Sequence, residues 1–265
     1  MRTKKYPNAD KTIRAFYEVI SEAYNNPRKC EVGDMPGKKN QELLAEEFGI
    51  SRIKARKILI TTGDVEYPET RKILALMESG LTMPAIAEQM GIAVSTVNSL
   101  TPYTKGVYKL SEVSAAAERT ERYRLRLAAV NELQEAVLNG GDWSLPLWKA
   151  IVLFAGYPFM TAGRGKERRG AIKFTYSISE AGGSGGRHYA GASVDGFGNE
   201  MIITGKEKTI SRSTVEVAMR NALEKEISGP RSLGVPGAHS YLYPILLRFG
   251  VITSTREGKG NDDND

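Results

Sequence analysis

The stretch Leu44-Ala45-Glu46-Glu47-Phe48-Gly49-Ile50-Ser51, running on to Ile58, returns 42 residues later as Ile86-Ala87-Glu88-Gln89-Met90-Gly91-Ile92-Ala93, running on to Leu100. Each copy sets a small Ala, a Gly four residues on, and an apolar residue directly after that Gly. Two further apolar positions follow, Ala55 and Ile58 in the first copy, Val97 and Leu100 in the second. Two short helices that cross steeply need a small residue where they meet, and Ala45 and Ala87 supply it. The turn between them needs a residue tolerant of positive φ, which glycine adopts at little steric cost. Leu44, Phe48 and Ile50, like Ile86, Met90 and Ile92, then point into a small core. The second helix of each pair starts near Ser51 or Ala93, with its inward apolar residues at helical spacing.

This spacing is the pattern of a helix-turn-helix, whose second helix usually lies in the major groove of DNA. One Ala-x-x-x-Gly match arises readily in ordinary helical domains; two with the same continuation carry more weight. The second helix of the first copy directs Ser51, Arg52, Lys54, Arg56 and Lys57 outward. Arg52 and Arg56, one turn apart, suit guanine edges, and Lys54 and Lys57 suit phosphates. The second copy directs Ala93, Val94, Ser95, Thr96, Asn98 and Ser99 outward. Asn98 suits adenine, Ser95 or Thr96 a phosphate or base, and Val94 a thymine methyl. Thr104 and Lys105 follow at a position suited to the DNA backbone. The competing reading is solvation for the charged residues, and a packing or dimerisation surface for the uncharged second copy.

Composition agrees with a polyanionic partner without demanding one. The 265 residues carry 37 Lys and Arg against 31 Asp and Glu, a net +6, with a pI near 9.2. A single cysteine, Cys30, excludes an internal disulfide or a cysteine-based zinc site. The opening Met1 to Pro7 has no apolar core behind its charges, and the longest apolar run, around Ala150 to Ala155, is far short of a membrane span. The expectation is a cytoplasmic protein with no membrane partner and no cofactor.

Four regions are predicted: tandem helix-turn-helix units over 1–110, a helical linker over 111–140, an α+β domain over 141–256 and a disordered acidic tail over 257–265. A helix over 10–26 presents Ile13, Phe16, Tyr17, Ile20 and Tyr24 on one face. Another begins near Glu69 and ends at Gly80, after which Thr82 is a candidate N-cap with Pro84 in the first turn. Ser111 to Asn139 reads as one long helix whose charges, Arg124 and Arg126 among them, form a solvated face with local ion pairs. Beyond Gly141, Trp148 to Phe154 reads as an apolar helix and Lys173 to Ser179 as a strand. His188 to Val194 and Glu200 to Thr204 read as a hairpin around Asp195 to Asn199. Ser211 to Lys225 is an amphipathic helix, capped either by a Ser213/Glu216 box or by Ser211. A last helix spans about Ser240 to Phe249. The fold class is therefore a mainly α N-terminal half with an α+β C-terminal domain built on a small antiparallel sheet.

The stretch Glu69 to Leu100 resembles the helix-turn-helix of bacterial response regulators, of resolvase C-terminal domains and of sigma-factor region 4. More loosely, Gly229 to Val235 and Tyr241-Leu242-Tyr243-Pro244 resemble uncharacterised helix-turn-helix proteins of Firmicutes genomes. The resemblance implies DNA binding and covers under a third of the chain. No resolvase catalytic domain and no promoter-melting region accompanies it. Asp195, Glu200 and Lys206 fit the Asp…Glu-x-Lys nuclease pattern poorly. The two histidines, His188 and His239, lack the His-x-x-Arg of tyrosine recombinases. Arg164, Lys166, Arg168 and Arg169, set among glycines, form the most anion-attracting loop and a candidate backbone contact. The sequence thus points to a sequence-specific double-stranded DNA-binding protein, a transcriptional regulator more than an enzyme. The C-terminal domain then serves homodimerisation, sensing of an unassigned effector or extra DNA contact. The alternative is a DNA-processing enzyme, a nuclease or recombination-related activity, in the C-terminal domain.

Overall fold

The computed structural model describes residues 8–25, 38–103, 109–161, 170–180 and 197–252. Among these, ten α-helices and five short strands fall into two compact bodies, divided inside one helix between Tyr123 and Arg124.

The N-terminal body holds α1 (Ala9–Asn25), α2 (Lys38–Glu47), α3 (Arg52–Thr62), α4 (Pro68–Glu78), α5 (Met83–Met90), α6 (Val94–Leu100) and the first part of α7 (Leu110–Leu138). On α1 the buried line is Ile13, Phe16, Val19 and Ile20, while Tyr17 and Tyr24 stay half-buried at its margin. Phe16 meets Phe48 edge-on with ring centroids 6.0 Å apart, and Phe48 meets Tyr123 at 5.7 Å. Burial of Leu44, Ala45, Ala55, Ile58 and Leu59 completes the packing of α2 and α3. The second three-helix group, α4 to α6, closes on Ile73, Ile86, Ala87, Val97 and Leu100. Ile60, on the last turn of α3, belongs to that second core, so the two repeats share a packed wall. Thr82 stands at the N-cap position of α5 with extended backbone, but its side chain makes no cap hydrogen bond.

The C-terminal body holds the rest of α7, α8 (Ser144–Leu153), β1 (Phe159–Met160), β2 (Lys173–Phe174), β3 (Tyr176–Glu180), β4 (Phe197–Ile203), β5 (Lys208–Ser211), α9 (Arg212–Glu224) and α10 (His239–Arg248). Its core gathers Ala129, Val130 and Leu133 of α7, Trp148 and Ile151 of α8, and Leu242 and Leu246 of α10. One antiparallel sheet has the order β3-β4-β5 and a second pairs β1 with β2. No helix among the described residues is long and apolar enough to cross a membrane.

The sheet departs from the sequence reading in three ways. Lys173 to Ser179 is not one strand: the chain switches sheets at Thr175, so β2 pairs with β1 and β3 with β4. Phe159 stacks on both Phe174 and Tyr176, at 5.7 and 6.0 Å, which places those alternate residues on one buried face across the break. Phe197 to Asn199, read as a turn, lie within β4, and the observed partner across a tight turn is β5. The His188 to Val194 segment lies outside the described residues. Gly198 marks a close approach between strands, not a turn. A Cβ there would sit 2.2 Å from the Ser179 hydroxyl oxygen and 2.8 Å from the Glu180 carbonyl oxygen, at the bulge between Ile178 and Glu180.

One helix start changes, and of the two caps expected for α9 the structure has Ser211. The helix predicted from Trp148 begins at Ser144, because Pro146 is tolerated in a first turn. The Ser213/Glu216 box does not form: Ser211 caps α9 by accepting from the Thr214 amide at 3.3 Å. Glu216 instead pairs with the buried Arg212 at 3.1 Å.

Candidate nucleic-acid interface

The two turns are built alike. The Gly49 amide donates to the Glu46 carbonyl at 3.1 Å and the Ile50 amide to the Ala45 carbonyl at 2.8 Å. In the second copy, Gly91 donates to Glu88 at 3.2 Å and Ile92 to Ala87 at 3.0 Å. Both glycines take the left-handed conformation, φ 59° and 64°, which allows each second bond to reach back over the end of the helix. Ala45 and Ala87 are buried at the crossings. Ser51 and Ala93 then open the second helices with the same extended backbone, φ −71° and −68°. Here the copies part. The Ser51 hydroxyl accepts from the Lys54 amide at 3.2 Å, whereas Ala93 has no side chain with which to cap α6.

α3 is hemmed in by its neighbours, and its basic side chains are engaged there. Arg52 pairs with Glu42 of α2 at 2.9 Å, both exposed. Lys54 pairs with Glu112 of α7 at 2.8 Å. The Arg56 Nη2 donates to the Ser99 hydroxyl at 2.8 Å, and its Nε is buried without a hydrogen-bond partner. The Lys57 ammonium donates to the Asn98 carbonyl at 2.7 Å and lies 4.8 Å from the centre of the Tyr103 ring. Burial pushes that ammonium below the usual lysine range. Arg119 of α7 donates to the Gly49 carbonyl at 3.1 Å, on the turn of the first copy. None of these contacts had a local signature, because each joins residues at least ten positions apart in the chain.

α6 is the reverse case. Val97 and Leu100 are buried in the second core, Ser99 is half-buried, and Ala93, Val94, Ser95, Thr96 and Asn98 are exposed. The side chains of Val94, Ser95, Thr96 and Asn98 make no hydrogen bond among the described residues. They therefore present methyl, hydroxyl and amide groups outward. The surrounding charge is uneven. Residues 38–63 carry six Lys and Arg against three Asp and Glu, while residues 64–103 carry two against five. Among the described residues, the cations that hydrogen-bond to α6 come from α3: Arg56 on Ser99 and Lys57 on the Asn98 carbonyl. Thr104, Lys105, Arg164, Lys166, Arg168 and Arg169 lie outside the described residues.

In the C-terminal body two arginines are structural. Arg126, read as solvated, is buried: it donates to the Leu153 carbonyl at 3.0 Å and lies over the Phe154 and Tyr157 rings at 5.4 and 5.3 Å. A long aliphatic stem and a weakly hydrated, planar head suit it to that place. Arg212 lies 5.7 Å from the centre of the Trp148 ring. Glu200 faces Ser211 across β4 and β5, and His239 opens α10 half-buried. Asp195 and His188 lie outside the described residues. No group of three or more His, Cys, Asp or Glu side chains suited to a metal occurs among the described residues. Compared with known proteins, the chain finds no counterpart: no family model, no curated protein and no solved structure matches it.

Proposed function

We propose that the chain is a sequence-specific double-stranded DNA-binding protein that regulates transcription, with the outward face of α6 as its principal base-reading surface. The observation that carries this reading is the open face of α6, held on a helix-turn-helix whose glycine-capped turn is repeated in the preceding copy. Asn98 offers the paired donor and acceptor that match adenine, Val94 offers an apolar contact for a thymine methyl, and Ser95 and Thr96 offer hydroxyls to bases or phosphates. Few phosphates can be met by the acidic second repeat itself. The backbone contacts of this face fall to Arg52, whose pairing with Glu42 is exposed and worth little in water, and to Lys105; Arg164, Lys166, Arg168 and Arg169 are a separate candidate backbone contact of the C-terminal body. The C-terminal body is assigned dimerisation or effector sensing.

Salt titration of the full chain on duplex DNA tests the proposal. Neutralising several phosphates makes the logarithm of affinity fall linearly with the logarithm of salt, by about 0.9 for each phosphate. Salt-independent binding, or none at low salt, counts against it.

A further inference from the structure

We infer that Arg56 and Lys57, although they lie on the helix that should face DNA, are positioning residues that clamp the end of α6. This rests on the reading of α6 as the base-reading helix. α6 has seven residues, begins at an uncapped Ala93 and ends at an extended Thr101. A helix this short has little stability of its own, and its last carbonyls have no partner within the helix. α3 supplies a partner to one of them, the Asn98 carbonyl, and holds the Ser99 side chain beside it. Arg56 holds the Ser99 hydroxyl at 2.8 Å, and that hydroxyl in turn donates to the Thr96 carbonyl at 2.9 Å. Lys57 and the Thr101 hydroxyl converge on the Asn98 carbonyl, at 2.7 and 3.1 Å. Two cations at a helix C-terminus also oppose its negative dipole end. The clamp closes on the backbone of Asn98 and Thr96, leaving the side chains of both free to point outward. Arg56 is poorly arranged as a phosphate contact, because its Nε is buried.

A phosphate contact and a clamp differ in what they change. Loss of a phosphate contact weakens binding to all sequences alike and lowers the salt slope by about 1. Loss of the clamp spares non-specific affinity and the salt slope but erodes discrimination. For Arg56→Ala, the clamp predicts a drop of about tenfold in the ratio of specific to non-specific affinity, the scale of one charge-assisted hydrogen bond. Ser99→Ala should match it, and the double variant should be no worse than either single one. In the free full-length protein, amide hydrogen exchange across α6 should accelerate in both variants while α1 and α8 keep wild-type rates. A lower salt slope with additive losses and unchanged α6 exchange would overturn the clamp. If the wild type binds no DNA yet α6 exchange still accelerates in both variants, the DNA reading fails and the clamp stands.

Discussion

The two helix-turn-helix copies share a turn and differ in what surrounds it. Both close on a left-handed glycine and a buried Ala, and both open their second helix with the same backbone angles. The first copy's second helix, α3, is eleven residues long, capped by Ser51 and lined with cations that are engaged by α2, α6 and α7. The second copy's, α6, is seven residues long, uncapped and uncharged, and its outer face is open. The difference teaches that a repeated pattern specifies the turn, while tertiary packing decides which copy keeps a free surface. The basic residues of α3 are engaged by three different helices: Arg52 by α2, Lys54 by α7, and Arg56 and Lys57 by α6.

The largest effect should come from the wall the copies share. Ile60 lies on α3 but packs in the core of α4 to α6, so Ile60→Ala should cost about 2–5 kcal/mol in denaturant unfolding. Its amide-exchange signature should appear in α5 and α6. If the loss is confined to α1 to α3, the copies do not share a core.

The turns should then prove equivalent. Gly49→Ala and Gly91→Ala each force a side chain into the left-handed region, at a cost of about 1–2 kcal/mol. Steric room does not separate them, since a Cβ at Gly91 meets nothing within 4 Å and one at Gly49 meets only the Arg119 Nε at 3.9 Å. A large disparity in unfolding free energy would show that one turn is held by something besides its glycine.

The caps should behave in opposite senses. Ser51→Ala removes the bond to the Lys54 amide, and Ala93→Ser introduces a hydroxyl on a backbone that matches Ser51 within a few degrees. The first should destabilise by about 1 kcal/mol and the second stabilise by a similar or smaller amount, read as shifts in unfolding midpoint.

The smallest effect is acid-dependent and belongs to the first copy's outer end. Burial raises the Asp64 carboxyl, but hydrogen bonds from Thr62, Asn25 and Ser21 outweigh it and leave the group below its usual range. A carboxylate with a depressed folded pKa contributes stability above its unfolded pKa, and the contribution is lost as pH falls through the folded value. Melting temperature should therefore decline on acidification below about pH 4, and Asp64→Asn should flatten that part of the profile. A decline of unchanged depth in Asp64→Asn would assign it to other carboxylates.

Much of the helical half was legible because its signals are local: apolar spacing on α1 and α4, glycine at both turns, serine before α3. The C-terminal sheet was less so, for identifiable reasons. β1 and β2 are two residues each, too short for alternation to register. Gly198 looked like a turn glycine, yet its lack of a side chain serves the approach of β4 to β3. Arg126 carried the look of a surface residue because its aromatic partners, Phe154 and Tyr157, lie on a different element. The candidate interface was legible in part. Spacing named the outward residues of α3 and α6 together, but only the packing of α3 against α6 separates holders from the candidate reader.

The most direct test of the account is selection of bound sequences from a random duplex pool by the full chain and by Asn98→Ala. The account predicts a defined motif for the wild type and loss of an adenine preference at one position for the variant, at about 1–3 kcal/mol of discrimination. Recovery of no motif, or of the same motif at the same strength with Asn98→Ala, would contradict it.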